Sequence, residues 1–279
     1  MSRNGQTAPD YPQNRAALQR LIAGSPGPVQ PYARDYPAGW DTGLHSHRRA
    51  QLVFATSGVM TVTTRSGLWV VPPQRAVWVP AGESHALKMH GPVQLRTLYL
   101  DESIAADRPR RPQVLSVTPL LRALVLRLMT LPAEATREGP AARLVAVLLD
   151  ELHCGAEAPM HLPEPQHPGL RRICSALREQ PADRRELADW GRLVGASPRT
   201  LARRFQEETG MGFAAWRQQA RLLAALPLLA QGQAVTSVAL DVGYDGPSAF
   251  IAAFRRSFGV TPGRYFAEDN VSTGEGGAS

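Results

Sequence analysis

Two sets of side chains in this chain of 279 residues have the types and spacing to do chemistry. The first lies in GLHSHRRAQ, residues 43–51, and in GESH, residues 82–85. His45 and His47 alternate along a strand, so both imidazoles point to one side. His85, from a later segment, can complete a three-imidazole facial set. Three neutral imidazoles suit a divalent transition metal such as Zn, Ni, Cu or Fe. The same rings can instead line a pocket and hydrogen-bond an organic molecule, and spacing alone leaves both readings open. The second set is rich in arginine: SPRTLARRF at 197–205 and PSAFIAAFRRSF at 247–258. Arginine reads guanine through paired hydrogen bonds or meets backbone phosphate.

The histidines need strands to hold them. Short β-rich runs (QLVFAT, VMTVTT, LWVVP, AVWVP and VQLRTLYL) fall between residues 51 and 100, separated by Gly- and Pro-rich turns. That pattern predicts an all-β barrel or sandwich. Trp40, Phe54, Trp69 and Trp78 read as its core rather than as a ligand cage. RPRRP, residues 108–112, reads as an extended linker. Two helices follow. VTPLLRALVLRLM offers Leu121, Leu124, Val125 and Leu128 on one face, and GPAARLVAVLLDEL offers Leu144, Val147, Leu148 and Glu151. The first is apolar nearly all round, so other protein covers it: its own barrel or a second copy of the chain.

The arginines need helices. Val235, Val238, Ala239 and Val242 make one short amphipathic helix that stops at Gly243. After a tight turn, Pro247 opens a second helix that buries Phe250, Ile251, Phe254 and Phe258. Its outer face carries Ser248, Ala249, Ala252, Arg255 and Arg256, and Thr261 and Pro262 cap a last short helix. The same plan occurs some fifty residues earlier. There ELADWGRLV is the first helix, with Gly191 where two helices can cross closely. Ser197 is the N-cap and Pro198 the first helical position. Leu201 and Phe205 point inward, while Arg199, Thr200, Arg203 and Arg204 point outward. A connecting helix holds Pro227, which should bend it. Helix, turn and polar-faced helix form the helix-turn-helix pattern. Two in tandem are far more specific than one.

On these stretches, residues 170–266 resemble the AraC/XylS family of transcription regulators. The resemblance implies that each second helix enters one of two successive major grooves of double-stranded promoter DNA. It places Arg199 and Arg203 at base-facing positions, Thr200 and Arg204 at phosphates, and Arg255 and Arg256 beside phosphates. The second unit departs from the family: Ala252 stands where Arg is common, and only Ser248 is polar among the first residues of its helix. Residues 35–100 resemble the cupin family through Gly39, His45, His47, Gln51, Gly58, Pro80, Gly82 and His85. That family's usual glutamate ligand is Gln51 here, and its later Asn or similar residue is Met89. The implied effector pocket is His45, His47, Gln51 and His85, with His45, His47 and His85 as the metal set.

Bulk properties agree. Net charge is +7, and all but one of the 31 basic residues are arginine. Residues 170–266 hold fourteen arginines against eight acidic residues, an excess suited to an anionic partner. No apolar run spans a membrane, and no secretory signal is visible. Two cysteines suggest a reduced, cytoplasmic protein. His153, Cys154, His161 and His167 match no zinc pattern.

The fold class expected is α+β, with an N-terminal cupin-like β-barrel, linker helices and a C-terminal all-α domain with two helix-turn-helix units. The expected divisions are a mobile N-terminus (1–30), the sensor (31–112), a helical dimerisation or linker region (113–155), a Pro-rich hinge (156–169), the DNA-binding domain (170–266) and a disordered tail (267–279). The function expected is transcription regulation without enzymatic activity. Expected partners are promoter DNA, a small-molecule or metal effector, a second copy of the chain, and RNA polymerase. The rivals are a metal-dependent cupin oxygenase or isomerase with a helical appendage, and a constitutive architectural DNA binder.

Overall fold

The computed structural model describes residues 11–152 and 160–266. They fall into two compact units, one within residues 1–64 and 69–158, the other within 65–68 and 159–279.

The first unit opens with α1 (Tyr11–Ala23), β1 (Val29–Tyr36), β2 (Ala50–Phe54), β3 (Met60–Thr64), β4 (Gly67–Val71), β5 (Arg75–Val79), β6 (His85–Met89) and β7 (Val93–Leu100). It continues with α2 (Glu102–Ala105), β8 (Gln113–Ser116), α3 (Pro119–Leu128), a 3-10 turn (Ala133–Arg137) and α4 (Gly139–Glu151). One sheet runs β1-β7-β2-β5-β8, antiparallel throughout. In the other, β3 pairs antiparallel with β6 on one side and neighbours β4 on the other.

Period-two alternation gives the first sheet two different faces. Leu52, Phe54, Ala76, Trp78, Leu98, Leu100 and Leu115 join Leu121, Leu124, Val125 and Leu128 of α3 and Val145 and Leu148 of α4 in one buried cluster. Each Leu, Val or Phe among them contributes about 1.5–3 kcal/mol on full burial. The apolar face of α3 is therefore covered by its own sheet. Thr118 starts this helix, accepting from the Leu121 N–H at 3.0 Å, and its hydroxyl donates to Glu151 at 3.0 Å. The alternate residues, Gln51, Val53, Val77, Val79, Thr97 and Tyr99, face the interior between the sheets, as do Val62, His85, Leu87 and Met89 from the second sheet.

Several expectations change. β1, β6 and β8 are strands that the sequence pattern did not reveal. β8 pairs with β5, so the sensor sheet extends to Ser116, past the boundary expected at 112. On α4, Ala141, Val145 and Leu148 are buried, while Val147 is 42% exposed, so the buried face is rotated from the one expected. Phe54 and Trp78 are core as expected, but in the sheet–helix layer rather than the interior. Trp69 is buried too, whereas Trp40 is half-buried against Tyr36.

The second unit contains β9 (His161–Pro163), α5 (Pro168–Glu179), α6 (Leu187–Val194), α7 (Pro198–Thr209), α8 (Phe213–Ala230), α9 (Val235–Asp241), α10 (Pro247–Phe258) and α11 (Pro262–Tyr265). Residues 160–169, expected as hinge, belong to it, because Trp216 donates its indole N–H to the Pro163 carbonyl at 2.8 Å. Residues 156–159 of the expected hinge, the first ten residues and the expected tail lie outside the described residues. The N-terminal stretch expected to be mobile contains α1, Tyr11–Ala23. α8 runs through Pro227 to Ala230. No described helix is long and apolar enough to cross a membrane.

Candidate functional sites: a three-histidine centre and two helix-turn-helix units

His45, His47 and His85 come together, their ligand nitrogens all within 4.8 Å of one another. They are the group of this kind among the described residues. His45 and His47 do not lie on a regular strand, as alternation implied. They sit in the segment before β2, where His45 forms an isolated bridge with His85, the first residue of β6. Each ring is pinned by its Nδ1: His45 to the Gly43 carbonyl at 2.9 Å, His47 to Arg49 at 2.6 Å, His85 to Glu83 at 2.9 Å. Arg49 is itself fixed, donating to the carbonyls of Ser25, Gly27 and Pro28. The ring centroids of His45 and His85 are 4.4 Å apart and those of His47 and His85 5.0 Å.

The hydrogen bonds fix the polarity of the centre. The Thr97 hydroxyl donates to the Leu52 carbonyl at 2.8 Å, so its oxygen is left to accept. It accepts from Gln51 Nε2 at 2.9 Å. Gln51 Oε1 therefore faces His47 Nε2 and His85 Nε2, each at 3.0 Å. A carbonyl only accepts, so every Nδ1 that meets one carries the hydrogen. A neutral imidazole has one N–H, which leaves the Nε2 atoms as lone pairs. Burial pushes the His85 imidazole down to about 3 and lowers His47 as well, so both stay neutral near pH 7. Imidazole lone pairs thus meet an amide oxygen with no proton between them. This donor set fits a transition-metal ion, which takes up converging nitrogen and oxygen lone pairs. Sequence reasoning did not find Thr97 or Tyr99, whose ring stands edge-on to His47 at 4.9 Å. The alternation of VQLRTLYL is the signal that places both on the same face as Gln51.

The second candidate site is built from two like units. In the first, Gly195 ends α6 in a left-handed conformation, and Ser197 caps α7 by accepting from the Thr200 N–H at 3.1 Å. Gly191 does permit a close approach, but to the turn: a Cβ there would stand 2.5 Å from the Ala196 carbonyl oxygen. Leu201 and Phe205 are fully buried and seat α7. Arg199 and Arg203 are exposed on its other side, and Arg203 pairs with Glu207 at 2.7 Å. Thr200 is half-buried. Arg204, expected at phosphate, is half-buried and lies against His167, the cap of α5.

In the second unit, Phe250 and Phe254 are fully buried and seat α10, while Ile251 and Phe258 are half-buried rather than core. Ser248, Ala249, Ala252, Arg255 and Arg256 are all exposed, as expected. Thr261 occupies the cap position of α11 without a side-chain cap bond. The two units are braced within one body. Arg217 and Arg221 of α8 donate to carbonyls of the α5–α6 loop, and Arg184 of that loop pairs with Asp245 in the second turn at 2.7 Å.

Comparison with known proteins bears on both sites. Residues 28–187 match the AraC-like ligand binding domain, and residues 190–268 match a helix-turn-helix domain. The chain is 38% identical over 224 residues to the HTH-type transcriptional regulator NimR of Escherichia coli, covering 80% of this chain and 82% of that protein. It is 35% identical over 116 residues to the HTH-type transcriptional regulator RipA of Corynebacterium glutamicum, covering 42% of this chain and 34% of that one. Among solved structures, ToxT of Vibrio cholerae aligns over 88% of this chain and 99% of its own at 11% identity, with a TM-score of 0.37.

Proposed function

The chain belongs to the AraC family of DNA-binding, helix-turn-helix transcription regulators with an N-terminal ligand-binding domain, and from that premise we propose how its two units divide the work. α7 and α10 enter successive major grooves of double-stranded promoter DNA. Arg199 and Arg203 read bases, Thr200 meets phosphate, and Arg255 and Arg256 hold the second helix against phosphates. Ser248, Ala249 and Ala252 face the second groove, where small side chains suit thymine methyls. Arg204 serves to brace α7 against α5. The observation that carries this reading is the repeated layout: buried Leu201 and Phe205 in one unit, Phe250 and Phe254 in the other, each beneath an exposed face.

In the sensor, His45, His47, His85 and Gln51 hold a divalent transition metal. Such an ion would supply a Lewis-acid centre for an effector, and the chain regulates rather than catalyses. Exposed Leu120, Leu126 and Val147 on α3 and α4 support a homodimer. The protein works in the cytoplasm, beside RNA polymerase. Effector binding shifts the population between arrangements of different DNA affinity.

Selection of bound DNA from a random pool by the full chain tests the DNA reading. The expected product is a site with two sequence elements about 10 base pairs apart, one per groove. A product with one element, or with none, overturns it. Repeating the selection after dialysis against a chelator tests the sensor: unchanged affinity would count against a metal role.

A further inference from the structure

The charge of the three-histidine centre points to the class of effector, on the premise that the centre holds a divalent metal. Its donors are three imidazoles and the amide of Gln51, all neutral. His45, His47 and His85 form a cluster to which no described Asp or Glu contributes a ligand atom. A divalent ion there keeps its full +2 charge beside a buried sheet interior. Charges taken out of water need a compensating partner. The position of the usual carboxylate is filled by Gln51, which hydrogen-bonds Thr97 and brings none. An anionic ligand supplies the counter-charge.

The surroundings give that ligand a shape. Tyr99 stands edge-on to His47 at 4.9 Å, and Tyr32 edge-on to Tyr99 at 6.5 Å. Arg34 donates to the Tyr32 hydroxyl at 3.4 Å, and its guanidinium lies 5.0 Å from the Tyr36 ring centre and 6.0 Å from that of Trp40. Strand register puts Tyr32, Arg34, Tyr36 and Tyr99 on the same sheet face as Gln51. His47, Tyr32, Arg34 and Trp40 are half-buried, so this strip reaches solvent. An aromatic strip from a metal centre to a cation suits a flat anionic molecule.

We propose that the effector is a planar organic acid, bound through an oxygen to the metal at His45, His47 and His85 and lying along Tyr99 and Tyr32 toward Arg34. The test uses the full chain loaded with Co(II), whose visible absorption reports ligands directly. Loading itself tests the metal reading: no cobalt band, or an equal band in His85→Ala, overturns both that reading and this proposal. With cobalt bound, salicylate is the probe, azide the small-anion control and salicyl alcohol the neutral control. The expected result is a band shift with salicylate at least tenfold tighter than with either control. Arg34→Gln should weaken salicylate about tenfold, leaving the anion-free band and the azide affinity unchanged. Gln51→Glu, which supplies the missing charge, should tighten cobalt and weaken salicylate. A cobalt band that salicylate leaves unmoved, or salicylate no tighter than azide and indifferent to Arg34→Gln, overturns the proposal with the metal reading intact.

Discussion

Gln51 and His85 meet across the two sheets of the sensor, amide oxygen to imidazole Nε2 at 3.0 Å, with both atoms oriented as acceptors. Two lone pairs that close repel unless a cation lies between them. Replacing Gln51 by Glu should raise the affinity for Zn(II) or Co(II) by about 10–100-fold, and Gln51→Leu should lower it by about tenfold. Competition with a chromophoric chelator measures both. Equal affinity in all three proteins would remove Gln51 from the ligand set.

Arg203 and Arg255 are both exposed but should fail differently. Arg203→Ala should cost about 1–3 kcal/mol on the selected site and relax preference at one base. Arg255→Ala should weaken every sequence alike and reduce the salt slope by about one. Fluorescence anisotropy across a salt series, on cognate and mismatched duplexes, separates them. A uniform loss for Arg203→Ala would make it a phosphate contact.

Two glycines in the first unit should be intolerant for different reasons. Gly191→Ala drives a Cβ to 2.5 Å from the Ala196 carbonyl, so the turn must shift, at about 1–3 kcal/mol. Gly195→Ala meets open space but sits at φ +68, at about 1 kcal/mol. Urea unfolding should rank Gly191→Ala below Gly195→Ala, and the reverse order would deny the close contact.

Acid should loosen the DNA-binding unit through Asp183. Hydrogen bonds from the Arg185 side chain hold its carboxyl below the usual range. A depressed carboxyl adds stability above its unfolded value and loses it as pH falls through the folded one. The contribution should therefore be intact at neutral pH and fade below about pH 4. Asp183→Asn should flatten that acid limb in unfolding followed by tryptophan fluorescence. An unchanged limb would deny the pair a role.

Exposed apolar side chains on α3 and α4 predict the effect of charge there. Leu120→Lys, at a site 49% exposed, should leave folding intact and shift the chain toward monomer in sedimentation. An unchanged mass would place any dimer contact elsewhere.

The DNA-binding half was legible because its signals are local. Pro198 and Pro247 open helices, Gly195 and Gly259 close them, and Leu201, Phe205, Phe250 and Phe254 repeat at helical spacing. The histidine centre was legible as a set of residues but not as a geometry. His45 and His47 sit outside regular strands, and only the bridge to His85 aligns them. β1 was hidden because Pro31, Arg34 and Asp35 interrupt its apolar pattern, and it is defined by its pairing with β7. β8 was hidden behind the linker composition of RPRRP. The Gln51–Thr97 bond joins residues 46 apart, which no short-range pattern reports.

Strand β2 has one further consequence. Gln51 faces the three-histidine centre, and the next residue, Leu52, is buried among the leucines of α3 and α4. The wall between chamber and helices is one peptide thick. Because the two residues share one peptide unit, a displacement of the Gln51 backbone would carry Leu52 with it.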